Sequence, residues 1–289
     1  MTYRTKSLLG FLAAAALFLP APKTLWAGAS DGAPAADVQI GTTQALRSKA
    51  EQLFAMANQE RAARGLSPLQ WDSALANAAL THCARMAAEG AISHQYGGEA
   101  DVSARAGQAG ARFSLIEENV ADGDQPARIH QAWMNSQGHR DNLLNPAVDH
   151  VGVAVVARGN TLYAVEDFSR SVAELSREQV EARVSRLMEE TGVAAHGDSV
   201  GARLACADDH GLPASLDNRR PEFIMRWQAA QLSRLPDALL GRISTGKYHE
   251  AVVAGCPAQS GQNSFTSYRV AVLLLKPETA GSRTYLSSK

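Results

Sequence analysis

The spacing of apolar positions changes character several times along this chain. A continuous apolar run, Leu8 to Leu19, comes first. Helical spacing then recurs from Leu46 to Arg64, ended by Gly65, and from Ser73 to Glu89. Asp72 is placed to cap the start of the second helix and Gly90 to close its end. The Gly- and Ala-rich stretch Gly97 to Gly110 reads as loop with a single helical turn. Asp124 opens a third helix, with Pro126 in its first turn, which carries Ile129 and Trp133 inward and stops near Gly138. After Pro146 the period shortens to that of a strand. Val151 to Ala157, the turn Arg158-Gly159-Asn160 and Leu162 to Phe168 spell a hairpin. Helices followed by an antiparallel hairpin imply an α+β fold with helices packed on a sheet.

A boundary falls near Val172 to Leu175. The segment beyond it opens with a helix, Arg177 to Glu190, and closes with an apolar strand, Tyr268 to Leu275. Between them lie a tryptophan-bearing helix around Trp227, Leu232, Leu235, Leu239 and Ile243, and a further strand, Glu250 to Gly255. That order echoes the first part faintly, as a degenerate half-repeat would. The expected organisation is a signal peptide over 1–29, a flexible leader over 30–45, a first domain over 46–171 and a C-terminal segment over 172–289.

Arg4 and Lys6 precede the first apolar run, which is too short to span a bilayer, and Ala27-Gly28-Ala29 supplies a small-residue cleavage site. This order predicts export to the periplasm or the outside, with an uncleaved N-terminal anchor as the alternative. No later segment is apolar enough to cross a membrane. Cleavage moves the formal net charge from −1 to −4, and Lys and Arg are scattered among Asp and Glu, so no basic stripe for nucleic acid exists. Three cysteines are an odd number for an oxidising compartment. Cys83 shares one helical face with Ala76, Ala79, Leu80, Met86 and Ala87 and reads as a buried core thiol, which leaves Cys206 and Cys256 as the bridge. No Cys-x-x-Cys pair suggests structural zinc or thiol redox chemistry.

Histidine is the side chain whose ordinary pKa suits both ligation and proton transfer near neutrality. Of eight, His82, His130, His150, His196, His210 and His249 read as solvated, the last three in loops. His94 and His139 each stand just past a helix end, where loops can converge on one cleft. Ser136, three residues before His139, lacks a strand-turn-helix nucleophile context, and His-Glu-x-x-His is absent. Asp149 or Glu166 could complete a site, but strand alternation makes Glu166 a solvent-facing residue. Arg140 is placed to bond a helix end or to orient an anion.

One ordered series of matches carries a family resemblance. It runs through Asn58-x-x-Arg61, Gly65-Leu66-x-Pro68-Leu69, Trp71-Asp72, Ser93-His94, Glu118-Asn119-Val120-Ala121, the block Trp133-Met134-Asn135-Ser136-x-Gly138-His139-Arg140-x-Asn142, Val151-Gly152-Val153 and Tyr163-x-Val165-x-Asp167-Phe168. In this order they resemble the bacterial branch of the CAP superfamily, the SCP-like domains. The resemblance implies an α/β/α sandwich with a central cleft lined by two histidines and acidic residues, which in some members holds a divalent metal. Carried onto this sequence, the cleft is His94, Glu118, Ser136 and His139; Ser136 stands where eukaryotic relatives carry a second carboxylate, and Glu117 points elsewhere. The resemblance further implies Zn²⁺ or another divalent cation on His94 and His139, with Glu118 as the candidate catalytic group; the alternative is that Glu118 accepts hydrogen bonds from both histidines and holds the cleft together. The expected function is a secreted module that binds a protein, peptide or lipid ligand. Its rival is an extracytoplasmic metal-dependent hydrolase acting on peptide or cell-envelope substrate.

Overall fold

The computed structural model describes residues 38–39, 44–197, 199–207, 211–213, 216, 219–257 and 265–275. The expected signal peptide and nearly all of the leader lie outside the described residues, as does His210. Among the described residues no helix is long and apolar enough to cross a membrane.

The first part runs β1 (Val38–Gln39), α1 (Gln44–Ala62), β2 (Gln70–Trp71), α2 (Ser73–Glu89), α3 (Val102–Gln108), β3 (Phe113–Gly123), α4 (Pro126–Asn135), α5 (Gln137–Leu143), β4 (His150–Arg158) and β5 (Thr161–Ser171). Its sheet has the order β1-β4-β5-β3, with β2 pairing in parallel beside β4. The α2 boundaries follow from its caps. The Asp72 carboxylate accepts from the N–H groups of Ala74 (2.7 Å) and Leu75 (3.1 Å), and Gly90, at φ 75°, returns its N–H to Met86.

Both faces of this sheet are covered. On one, α1 and α4 bring Leu53, Ala57, Ile129 and Trp133 against Val151, Val153 and Val155. On the other, α2 brings Ala79, Cys83 and Met86 against Val120, Ala154, Val156 and Val165. The result is the α+β class in three layers, α/β/α. Motif residues far from any cleft hold these layers. The buried guanidinium of Arg61 donates to the carbonyls of Ser67, Leu143, Asn145 and Val148, and Asn58 exchanges two hydrogen bonds with Leu69.

The second part runs α6 (Arg177–Glu189), β6 (Ala194–His196), α7 (Val200–Ala207), β7 (Pro221–Ala229), α8 (Asp237–Ile243), β8 (Glu250–Cys256) and β9 (Tyr268–Leu275). Its sheet order, β6-β8-β9-β7, with β6 parallel to β8 and the other pairs antiparallel, matches β2-β4-β5-β3 strand for strand. Here α6 and α8 pack on one face and α7 on the other, as α1, α4 and α2 do in the first part. A disulfide joins Cys206 to Cys256, and Cys83 is a free buried thiol. The two parts meet where Thr266 N–H donates to Phe113 O (2.7 Å) and the rings of Phe113 and Phe265 stand edge to face at 5.3 Å.

Several expectations are corrected. Trp227 lies in strand β7, not in a helix, and His196 in strand β6, not in a loop. The third helix ends at Asn135, its N-cap is Gln125 without a side-chain bond, and a separate helix α5 follows, so His139 sits inside a helix. The Gly97 to Gly110 stretch holds a helix of seven residues, α3. Strand β3 has no counterpart in the apolar pattern of the sequence, because its run Glu117-Glu118-Asn119 masks the strand period.

Candidate functional site

Strand β3 carries Glu118 opposite Asp167 of β5, and the Glu118 side chain is 3% exposed. One carboxylate oxygen pairs with His94 Nδ1 at 2.8 Å and the other accepts from Arg105 Nη2. Arg105 projects from α3, and its other terminal nitrogen donates to the carbonyls of Ala100 (2.8 Å) and His94 (3.2 Å). One arginine therefore fixes both the acid and the backbone of its histidine partner.

The loop bearing His94 has a second anchor, which sequence reasoning missed. His82 on α2 was expected to be solvated, yet it is wholly buried. Its Nδ1 meets Glu99 Oε1 and its Nε2 meets Ser93 O, both at 2.7 Å. Burial opposes ionisation of Glu99, but hydrogen bonds from His82 and from the Tyr96 N–H carry its carboxyl below the ordinary value. His82 and Glu99 thus staple both ends of the loop that presents His94. A spacing signal existed, since His82 lies three residues from Ala79 and seven from Leu75 on the buried face of α2.

His139 reaches the site from α5. Its carbonyl accepts from Asn119 Nδ2 (3.0 Å), and Asn142 donates to Asn119 Oδ1 (3.0 Å) and Glu118 O (3.3 Å). These amides dock α5 onto β3 beside Glu118. The imidazole of His139 makes no hydrogen bond to Glu118 among the described residues, so the expected trio is joined on the His94 side alone. The hydrogen bond to Glu118 raises the pKa of His94, with burial acting against it; burial lowers that of His139, and the nearby charge of His94 lowers it further. Ser136 sits at the junction of α4 and α5 without a side-chain capping bond. Glu117 faces away and accepts from Asn145 (2.8 Å), while Arg140 donates to the carbonyl of Met134 (2.7 Å) and so bonds a helix end. Asp149 pairs with His150 (2.8 Å) and caps Ser171, outside this cluster.

Two further readings change. Glu166 is fully buried instead of solvent-facing, because β5 is covered on both sides. Neither of its oxygens is hydrogen-bonded among the described residues, and burial lifts its carboxyl to about 8. Its neighbour Asp167 is equally buried and shifted upward, by burial first and by the charge of Glu118 second. His130 is buried as well, with Nδ1 unpaired and its pKa lowered by desolvation. Among the described residues no three His, Cys, Asp or Glu side chains are arranged to hold a metal ion.

The family model for the cysteine-rich secretory protein family, CAP, matches residues 54–168, which include every residue of this cluster. This segment is a CAP domain. Its relatives include the uncharacterized protein YkwD of Bacillus subtilis, 34% identical over 154 residues covering 49% of this chain and 59% of that protein. The uncharacterized membrane protein YlbC of the same organism is 34% identical over 110 residues, 36% of this chain and 31% of that one. The chain therefore spans between about one third and three fifths of these curated relatives. Among solved structures, an SCP-domain extracellular protein from Bacillus anthracis is similar at 29% identity and TM-score 0.42, covering 44% of this chain and 42% of that one. A cysteine-rich secretory protein from Staphylococcus aureus is similar at 22% identity and TM-score 0.38, covering 45% and 41%. All of the CAP match lies in the first part; the second part, with its disulfide, lies beyond it.

Proposed function

We propose that the protein is an exported binding module whose CAP-domain cleft presents the imidazoles of His94 and His139 to a protein, peptide or lipid ligand. The observation that carries this reading is the engagement of Glu118. With one oxygen on His94, the other on Arg105 and little solvent contact, its carboxylate orients a histidine and is poorly placed to act as a free base. The hydrolase alternative needs that base, and no contact in the cleft favours it. Export is supported by the charged-then-apolar N-terminus and by a disulfide, which persists in oxidising compartments.

We take a divalent cation such as Zn²⁺ to be held by the two imidazoles and not by the full trio, since both oxygens of Glu118 are engaged. A carboxylate on Nδ1 of His94 leaves Nε2 as the ligating atom, the arrangement in which acids orient metal-bound histidines. The depressed pKa of His139 keeps that ring neutral, as ligation requires. When bound, the cation would supply a Lewis-acidic point for a carbonyl, carboxylate or phosphate of the ligand. Calorimetric titration of Zn²⁺ into the mature protein should show a single site that a His94→Ala, His139→Ala double variant lacks. Equal, weak binding by both proteins would remove the metal from this reading.

A further inference from the structure

A cavity of about 260 Å³ opens where the two parts of the chain meet. Arg112 reaches it from the first part, just ahead of β3; Arg177 reaches it from the first residue of α6, and Arg269 from near the start of β9. Leu175 and Val180 give it an apolar side, and among the described residues no Asp or Glu lines it. The family match ends at residue 168, so every wall but that of Arg112 lies beyond the CAP domain.

Three guanidinium groups around one small cavity repel each other, because arginine stays charged at any ordinary pH. Two of them, Arg112 and Arg177, enter no ion pair among the described residues. Arg269 donates to the carbonyl of Pro257 (3.2 Å), a neutral acceptor. The acids closest to Arg177 on α6 are committed elsewhere: Glu178 accepts from Ser176 Oγ (2.8 Å), and Glu181 from the Gly255 N–H (3.1 Å) and from Arg203 (2.8 and 3.0 Å). Residues 258–264, which join the β8 edge of the cavity to its β9 edge, are Ala-Gln-Ser-Gly-Gln-Asn-Ser and bring no charge to it.

The sequence also anchors these arginines. A Cβ on Gly255 would sit 3.0 Å from Arg177 Cγ, so the glycine is what lets the stem of Arg177 lie against β8. The carbonyl of Arg112 accepts from the Val172 N–H (2.9 Å), which fixes its backbone at the crossing between the two parts. Arg177 moreover opens a helix of 13 residues, whose N-terminal dipole disfavours a cation and favours an anion in front of it.

We propose that this cavity is a second binding site, which takes a phosphate group, free or as a monoester. Phosphate carries about −1.5 to −2 of charge and three strong acceptor oxygens, which suit three guanidinium forks better than a single carboxylate does. The volume falls below the roughly 300 to 1,000 Å³ of drug-sized pockets and so selects a small ester over a polymer. The site shares no residue with the histidine cleft and stands or falls independently of it.

The test is calorimetry of the mature protein at low ionic strength, with glycerol 3-phosphate as titrant and glycerol as its neutral control. The ester should bind at one saturable site and glycerol should not. Arg112→Ala and Arg177→Ala should each weaken binding at least about tenfold, as loss of a charge-assisted pair does, with Tm unchanged because both side chains are exposed. Arg177→Lys should restore only part of the loss, since an ammonium keeps the charge but not the fork. Arg234→Ala, which removes an exposed arginine elsewhere in the second part, should bind as wild type does, and so should the His94→Ala, His139→Ala double variant. Cosedimentation with phosphatidic acid vesicles that glycerol 3-phosphate displaces would put the phosphate on a lipid, and its absence would put it on a soluble ester. Four results overturn the proposal: no saturable binding, unchanged binding in both Arg→Ala variants, a loss in Arg234→Ala as large as that in Arg112→Ala, which would reduce the effect to diffuse charge, or loss of binding in the histidine double variant, which would move the anion to the cleft.

Discussion

Replacing Glu118 by glutamine separates a group that builds the cleft from one that works in it. Both neighbours of the carboxylate are donors, Arg105 Nη2 and His94 Nδ1. A glutamine oxygen can satisfy only one, and its amide nitrogen then faces the other donor. The two losses are unequal because their surroundings are. Arg105 has a side chain 5% exposed, so its guanidinium is left buried without a countercharge, a change that costs about 3 kcal/mol or more. His94 is 61% exposed and can turn to water, so His94→Ala should cost less than about 1 kcal/mol. For a chain of this length the first figure is a fall in Tm of about 6 to 12 °C and the second about 3 °C or less. The pH dependence gives a second reading. The raised pKa of His94 means that its pairing stabilises the fold fully below the ordinary 6.5 and is lost as pH rises through the higher folded value. That loss should vanish in Glu118→Gln. Denaturant and thermal unfolding of wild type, Glu118→Gln and His94→Ala from pH 5 to 9 measure all of this. If Glu118→Gln lies within about 1 kcal/mol of wild type, the carboxylate does not hold Arg105, and a catalytic role for it regains ground.

Gly152→Ala should destabilise by about 3 kcal/mol or more, since a methyl there would sit 2.1 Å from the backbone nitrogen of Ala76 where α2 crosses β4; a variant of normal Tm would mean that the helix can shift. Glu166 is protonated in the fold up to about 8 and ionised above an ordinary 4.5 when unfolded, so stability falls as pH rises across that window, by at most about 1.4 kcal/mol per unit. Glu166→Gln should flatten this slope, and parallel curves for the two proteins from pH 5 to 8 would refute the assignment. Reducing the Cys206 to Cys256 bridge, which spans 50 residues, should cost the second part about 4 kcal/mol. Unfolding followed at Trp227 with and without reductant measures that loss, and a non-reducing mass map lacking this pair would contradict it.

Elements with a single strong local signal were legible in the sequence. Helix α2 runs over the predicted Ser73 to Glu89 because Asp72 and Gly90 act within one turn of it, and β9 matches Tyr268 to Leu275 because an unbroken apolar run has nowhere to go but a sheet interior. Strand β7 reads as helix in the sequence because the apolar residues after Trp227 space like one; Leu239 and Ile243 do lie in α8, but Leu232 and Leu235 precede it and Trp227 belongs to the strand before them. Strand β3 was invisible for a more instructive reason. Its acids and amides are made compatible with burial by Arg105, His94, Asn142 and Asn145, all donors contributed by other elements.

The buried groups around the site follow from a rule about faces that local alternation does not express. In β5, Tyr163 and Val165 are apolar on one face, and Ala164 and Phe168 on the other. A strand apolar on both parities is covered on both sides, so the acids within it, Glu166 and Asp167, must be buried whichever way each points. The same logic applies to His82, which shares the inward face of α2 with Leu75, Ala79 and Met86. Once those faces are assigned, burial of three polar groups becomes an expectation, His82 and Asp167 on the face of Glu118 and Glu166 on the opposite face, and each then requires either a partner or a neutral form. His82 has its partners in Glu99 and Ser93, whereas neither oxygen of Asp167 is hydrogen-bonded among the described residues, and burial shifts its carboxyl upward. Glu166, with no hydrogen bond among the described residues, is left with protonation, which is why the pH profile of the fold, more than any single contact, tests whether the interior around this cleft has been read correctly.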